Sequence, residues 1–241
     1  MDLFLLLAAA LLPVVGNIVG GLVAESARPP QWVVGVALHA AAGIAIAVVS
    51  ADLMPRILEN VPTWLAVLAF VLGASFSLLL LKGVRFIQDR VGGGSVSAWM
   101  IYMAVAADSF SDGLMTGTGS AVSGRLGLML GLSQLVGNIP GGFGALASFR
   151  ASGMKRGKRI LVLCSFVLPL GLGLAIGFVG LKDAGQLIQL AALAFVVGIL
   201  LLTTIEDTLP QADEPSPPRL LSTASFAGGF AFFTLLSGYL Q

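Results

Sequence analysis

The chain is short of charge. Only 10% of its 241 residues are Asp, Glu, Lys or Arg, against about 25% in soluble domains. That leaves too little polar surface to cover a water-soluble globule of this size, and it excludes a soluble enzyme or a disordered chain. Neither sign of charge dominates: 13 Lys and Arg stand against 12 Asp and Glu, a net charge of +1. No basic field exists to attract nucleic acid. Cysteine occurs once, as Cys164, which rules out an internal disulfide and a thiolate metal cluster. Histidine also occurs once, as His39, so a multi-histidine zinc site is excluded.

What is abundant is apolar sequence: 57% of the residues are hydrophobic and the mean hydropathy is +0.98. A helix crosses about 30 Å of hydrocarbon with roughly 20 apolar residues. That length fits eight segments, at 3–24, 32–54, 63–81, 97–119, 126–149, 160–181, 186–205 and 220–240. Turn or charged residues bound them, as at Arg28-Pro29-Pro30, Val61-Pro62-Thr63, Gly92-Gly93-Gly94 and Pro215-Ser216-Pro217-Pro218. No soluble domain fits between them. The expectation is an all-α integral membrane protein, residues 1–241 forming a single transmembrane domain of eight helices. The first segment lacks the basic leading region of a signal peptide and reads as a retained helix.

Lys and Arg concentrate in cytoplasmic loops. With the N-terminus outside, ten of the thirteen basic residues fall inside: Arg28; Lys82, Arg85 and Arg90; Arg150, Lys155, Arg156, Lys158 and Arg159; and Arg219. Only Arg56, Arg125 and Lys182 fall outside. An even number of spans then places the C-terminus outside as well. Gly-x-x-x-Gly spacing recurs at Gly16/Gly20, Gly113/Gly117, Gly127/Gly131, Gly137/Gly141 and Gly173/Gly177. Such spacing lets helix backbones approach closely where the hydrophobic effect offers no drive.

An acidic residue at the centre of a span costs about 2.5–3.5 kcal/mol on insertion scales. Span 4 holds two, Asp108 and Asp112. Their spacing of four residues puts both carboxylates on one helix face, where they repel each other unless a proton or cation lies between them. Span 5 offers Ser133, Gln134 and Asn138, followed by Pro140, whose ring frees the carbonyl of Val136 and predicts an unwound turn lining a site. Two helices thus present oxygen ligands at the bilayer midplane, where transporters place their substrate sites. Span 2 ends Asp52-Leu53-Met54-Pro55 and span 7 ends Asp207-Thr208-Leu209-Pro210. Matching Asp-x-x-Pro stretches at opposite faces fit an inverted repeat of spans 1–3 against 6–8. Glu206 beside Asp207 makes the inner end more acidic, and Asp52, Glu206 and Asp207 are the candidate gate and pathway residues.

At these residues the chain resembles the ZIP (Zrt-, Irt-like protein) family of divalent metal transporters. That family's fourth span carries a pattern like His-Asn-Phe-x-Asp/Glu-Gly-Leu-x-x-Gly; here the stretch runs from Asp108-Ser109-Phe110-Ser111-Asp112-Gly113-Leu114 to Gly117. Its fifth span carries a pattern like His/Gln-Asn/Asp/Glu-Ile-Pro-Glu-Gly; here it is Gly137-Asn138-Ile139-Pro140-Gly141-Gly142. The resemblance implies eight spans with both termini outside, alternating access and a homodimer. It assigns Asp112 to the bridging carboxylate and Asn138 to a ligand position. Ser109 and Asp108 stand where an asparagine and a histidine are usual, and Gly137 and Gly141 replace two further ligands. The metal candidates are therefore Asp108, Ser109, Asp112, Asn138 and Gln134, all oxygen donors, which favour a harder cation than imidazole-rich sites do.

The function this implies is transport of a divalent metal ion (zinc, manganese or iron class) as substrate, with no resident cofactor and no nucleic-acid partner. Short loops point to a bacterial cytoplasmic (inner) membrane. Two other readings stand beside it. An intramembrane aspartyl hydrolase needs carboxylates on different helices, whereas Asp108 and Asp112 share one. A ligand-depleted ZIP-like protein acting as a sensor or accessory subunit, or carrying another small solute, fits the glycines at 137 and 141. His39, Met54 and Met103 lie outside any motif and read as packing residues.

Overall fold

The computed structural model describes residues 3–26, 30–90 and 95–239. The expected boundaries at Arg28-Pro29 and Gly92-Gly93-Gly94 lie outside the described residues. All the regular structure described is helical: α1 (Leu3–Ser26), α2 (Gln31–Ala47), α3 (Met54–Asn60), α4 (Thr63–Arg90), α5 (Ser95–Val122), α6 (Gly124–Ala151), α7 (Arg156–Cys164), α8 (Val167–Leu181), α9 (Gln186–Thr203), α10 (Leu209–Asp213) and α11 (Arg219–Tyr239). A π-helical stretch, Val48–Leu53, joins α2 to α3, and another, Thr204–Thr208, joins α9 to α10. The expected spans thus correspond to α1, α2–α3, α4, α5, α6, α7–α8, α9–α10 and α11.

Among the described residues six helical segments are long and apolar enough to cross a membrane: Leu6–Ser26, Trp32–Asn60, Thr63–Gly83, Arg156–Leu181, Gln186–Asp213 and Arg219–Tyr239. The remaining two, α5 and α6, are long enough at 28 residues each but carry the polar groups of the candidate site. Their neighbours cover those groups, and most residues of α5 from Ser109 to Ser120 are buried.

The Asp-x-x-Pro stretches were expected to stop their helices. Instead each helix runs on through the proline. Pro55 and Pro210 both sit in the first turn of a short α-helix that follows a π-helical stretch. A proline supplies no N–H and crowds the carbonyl four residues back, and widening the preceding turn to i→i+5 bonding relieves both demands. Pro140 departs from expectation in the same sense: no unwound turn forms, and α6 stays helical from Gly124 to Ala151.

Helix pairing explains most of the glycines. The main pairs are α1 with α6, α5 with α8, α2 with α11 and α4 with α9, while α5 and α6 face each other at the centre. At each outer pair, glycines from both helices meet the partner's backbone. A Cβ at Gly16 or Gly20 would strike the carbonyls of Leu135 and Ile139, and one at Gly142 that of Asn17. Gly113 and Gly117 meet Leu170 and Leu174, while Gly173 and Gly177 meet Phe110 and Leu114. Exchanging α1 with α7–α8, α2–α3 with α9–α10, α4 with α11 and α5 with α6 maps this set of pairs onto itself. Gly137 and Gly141 do not belong to the pattern: no atom lies within 4 Å of a Cβ built at Gly137, and at Gly141 the nearest is Asn17 Oδ1 at 3.6 Å.

The main apolar core fills one end of the bundle. Val48, Leu53, Met115, Met129, Leu130, Leu193, Val197 and Phe233 interlock there with Ile57 and Ile199, all buried. This end is the one that carries the α3–α4 and α8–α9 connections.

Candidate functional site

Four helical segments, α2, α5, α6 and α9 with the π-helical stretch after it, enclose a cavity of about 70 Å³ at the centre of the bundle. Asp108, Asp112, Gln134 and Asn138 contribute to its polar lining, together with Ser133, Thr203, Thr204 and Thr208. The two carboxylates, one turn apart on α5, therefore do face the same space. Asp112 is 4% exposed. Asn138 donates from Nδ2 to Asp112 Oδ2 at 2.6 Å and toward the Pro13 carbonyl at 3.3 Å. This holds the carboxylate in place across the α5–α6 interface and leaves Asp112 Oδ1 and Asn138 Oδ1 as acceptors for a cation.

Gln134 is differently employed. Its Nε2 donates to the main-chain oxygen of Asp112 at 3.2 Å, and its Oε1 accepts from Thr116 Oγ1 at 2.6 Å. Both ends of the amide are thus engaged in joining α6 to α5. Ser133 turns its hydroxyl back to the Leu130 carbonyl. Ser109 faces α1, where Asn17 Nδ2 approaches its Oγ at 3.5 Å. The structure thus brings Asp108, Asp112, Gln134 and Asn138 around one cavity and directs Ser109 toward another helix.

Asp108 is the junction. It is half-buried and lines the central cavity, a side pocket of about 40 Å³ shared with Ser111 and Asp207, and a vestibule of about 400 Å³. The vestibule is open and acidic: Asp108, Asp207 and Glu214 line it, with Gln211 donating to Asp207 Oδ1 at 2.7 Å. Its opposite wall is the bare face of α6 formed by Gly137, Gly141 and Gly144. Glu206 is exposed and stands beside Asp207 in the same π-helical stretch. Asp52 lies elsewhere. It is 4% exposed, accepts from Ser237 Oγ at 2.9 Å, and its Oδ2 is buried without a hydrogen-bond partner.

Several polar residues around these spaces carried no motif. Thr204 lines the central cavity, Gln211 and Glu214 line the vestibule, and Asn17 reaches Ser109 from α1. An isolated amide in an otherwise apolar stretch is the sequence signal that Asn17 offered, and its Oδ1 is buried with no hydrogen-bond partner.

Among the described residues no three His, Cys, Asp or Glu side chains converge in a group able to hold a metal ion. A cation between Asp108 and Asp112 would have to complete its shell with amide, hydroxyl or water oxygen. Such donors suit magnesium, calcium or manganese better than a soft ion.

No curated protein matches the chain. The model of the ZIP zinc transporter family matches residues 87–237, a stretch that includes α5, α6 and the helices that follow. The match covers more than half of the chain and contains both carboxylates of the central cavity, Asn138 and the acidic residues of the vestibule. This helical membrane protein belongs to the ZIP zinc transporter family, whose members transport metal ions.

Proposed function

We propose that the chain carries a divalent cation across the membrane by alternating access, through the cavity between α5 and α6. One observation carries the reading: Asp108 and Asp112 face a single small cavity, and Asp108 also lines an acidic vestibule leading from it. Asp112 and Asn138 bind the ion, Asp108 binds it and hands it on, and Asp207 with Glu214 draws it along the vestibule. The oxygen-only donor set favours a hard or borderline, partly hydrated ion such as manganese.

Eight crossings are supported by the packing of α5 and α6 inside the six more apolar segments. The inverted repeat is supported by two features, the exchange symmetry of the helix pairs and the shared π-helical stretch before Pro55 and Pro210. With both termini outside, the vestibule opens toward the cytoplasm, on the side of Arg150, Arg156 and Arg159. The apolar core then closes the outer side, so the conformation is inward-open. Asp52 lies beyond that core and would meet the ion only in the alternate state.

The ligand-depleted reading draws on the bare wall at Gly137 and Gly141. Binding tests the site itself. Equilibrium dialysis of purified protein against manganese is expected to show one equivalent whose affinity falls at least about tenfold in Asp112→Asn, because the bridging anion is gone. Manganese binding that is absent in the native chain, or indifferent to Asp112→Asn, would refute the proposed site.

A further inference from the structure

His39 is the one histidine of the chain. It is 9% exposed, and it is absent from the lining of the central cavity and the vestibule. Its Nδ1 lies 2.9 Å from the Gly35 carbonyl, one helical turn back. A carbonyl can only accept, so Nδ1 carries the proton, and in the neutral ring Nε2 presents a bare lone pair. That lone pair faces Asp213 Oδ1 at 3.3 Å. Two acceptors so placed repel unless a proton or a cation lies between them. A charge-assisted N–H···O bond is usually shorter, about 2.7–2.9 Å. Two ligands held at about 2.0–2.1 Å on a tetrahedral ion, by contrast, sit about 3.3 Å apart. An Nδ1–H anchored on a backbone carbonyl is also how metal-ligating histidines are commonly oriented.

The surroundings suit a ligand. His39 and Asp213 line a cavity of about 570 Å³ between α2, the connector after α10 and α11. Ser222 lines the same cavity; it is 6% exposed, and its hydroxyl is buried with no hydrogen-bond partner. Asp213 itself is largely exposed, with 75% of its side-chain surface accessible, so an ion can reach it. Arg219 is the basic residue of the lining, and Glu214, next to Asp213, faces the vestibule instead.

We propose that His39 and Asp213 form a second divalent-cation site, separate from the central cavity, that binds a borderline ion such as zinc through imidazole nitrogen and carboxylate oxygen. Water and the Ser222 hydroxyl complete the shell. An ion there clamps the end of α10 to α2. Because α10 and the residues flanking it carry Asp207, Gln211 and Glu214, occupancy would fix one wall of the vestibule. That regulatory consequence rests on the transport reading above; the site itself does not.

A single histidine makes the test direct. Tag-free protein labelled with heavy nitrogen in histidine gives one imidazole signal pair, which is titrated with zinc alone. Nε2 is expected to move to a metal-bound position while Nδ1 keeps its proton, in the native chain and equally in Asp108→Asn/Asp112→Asn. Asp213→Asn should raise the half-saturating zinc concentration about tenfold or more, and Arg219→Gln should lower it. An imidazole that responds to acid but not to zinc would overturn the proposal, leaving a proton-held ion pair. A zinc response lost in the Asp108/Asp112 double variant would overturn it too, by assigning the effect to the central site. Since no flux is read, failure of the transport reading leaves this result intact.

Discussion

Gln134 separates holding the site from serving as a ligand. Its amide joins the Asp112 main-chain oxygen to the Thr116 hydroxyl, and Thr116 and Gln134 are 0% and 5% exposed. Gln134→Leu would leave a buried hydroxyl without its acceptor, at a cost of about 1–3 kcal/mol. Denaturation in detergent should therefore show a clearly less stable protein, and unchanged stability would remove Gln134 from the α5–α6 interface. At this scale the sequence was informative where burial is costly. Asp108 and Asp112 stood out because charge in mid-span needs a reason, and the structure puts both on one cavity. Ser109 did not yield its direction: a neighbouring helix position is turned by about 100°, but only the packing of α1 shows that Asn17 waits there. Asn17 itself escaped notice because an amide in an apolar stretch breaks no charge rule.

Glycines divide by what their missing side chain permits. Gly142 lets the Asn17 carbonyl of α1 press against α6, whereas Gly144, two residues on, faces the vestibule, where an added methyl group would meet nothing within 4 Å. Gly142→Ala should cost about 1–3 kcal/mol through overpacking of the α1–α6 seam. Gly144→Ala should be neutral or slightly stabilising, since alanine favours a helix interior over glycine by about 1 kcal/mol. Thermal unfolding of the two variants side by side checks this, and equal losses would contradict the pairing of α1 with α6. Spacing alone announced close packing but no partners, and it grouped Gly137/Gly141 with the packing glycines although they line open space. The Asp-x-x-Pro stretches were recognisable as a matched pair. That each helix continues past its proline was not, because the proline rule describes an α-helix and the chain uses a π-helical turn.

The whole bundle is asymmetric along its axis. One end is closed by interlocked apolar side chains around Leu53, Met129, Leu193 and Phe233. The other is open through a vestibule with carboxylates from α5 and from the residues on either side of α10. Under the transport proposed above, a cation held at the midpoint would leave through this vestibule, and α2 and α9–α10 would shift against α5 and α6 to open the apolar end. Composition, span lengths and the distribution of basic residues made a helical membrane protein legible, and the two motif stretches named the family. Cavities, which form between helices distant in sequence, were not legible in it.

Flux tests the central claim most directly. Proteoliposomes of the native chain and of Asp112→Asn, matched for folded protein, would be offered zinc, manganese, iron, cadmium, magnesium and calcium in turn. The site between α5 and α6 requires uptake of at least one of these ions by the native chain and its loss in Asp112→Asn. No uptake of any ion by folded native protein, or uptake undiminished in Asp112→Asn, would contradict it.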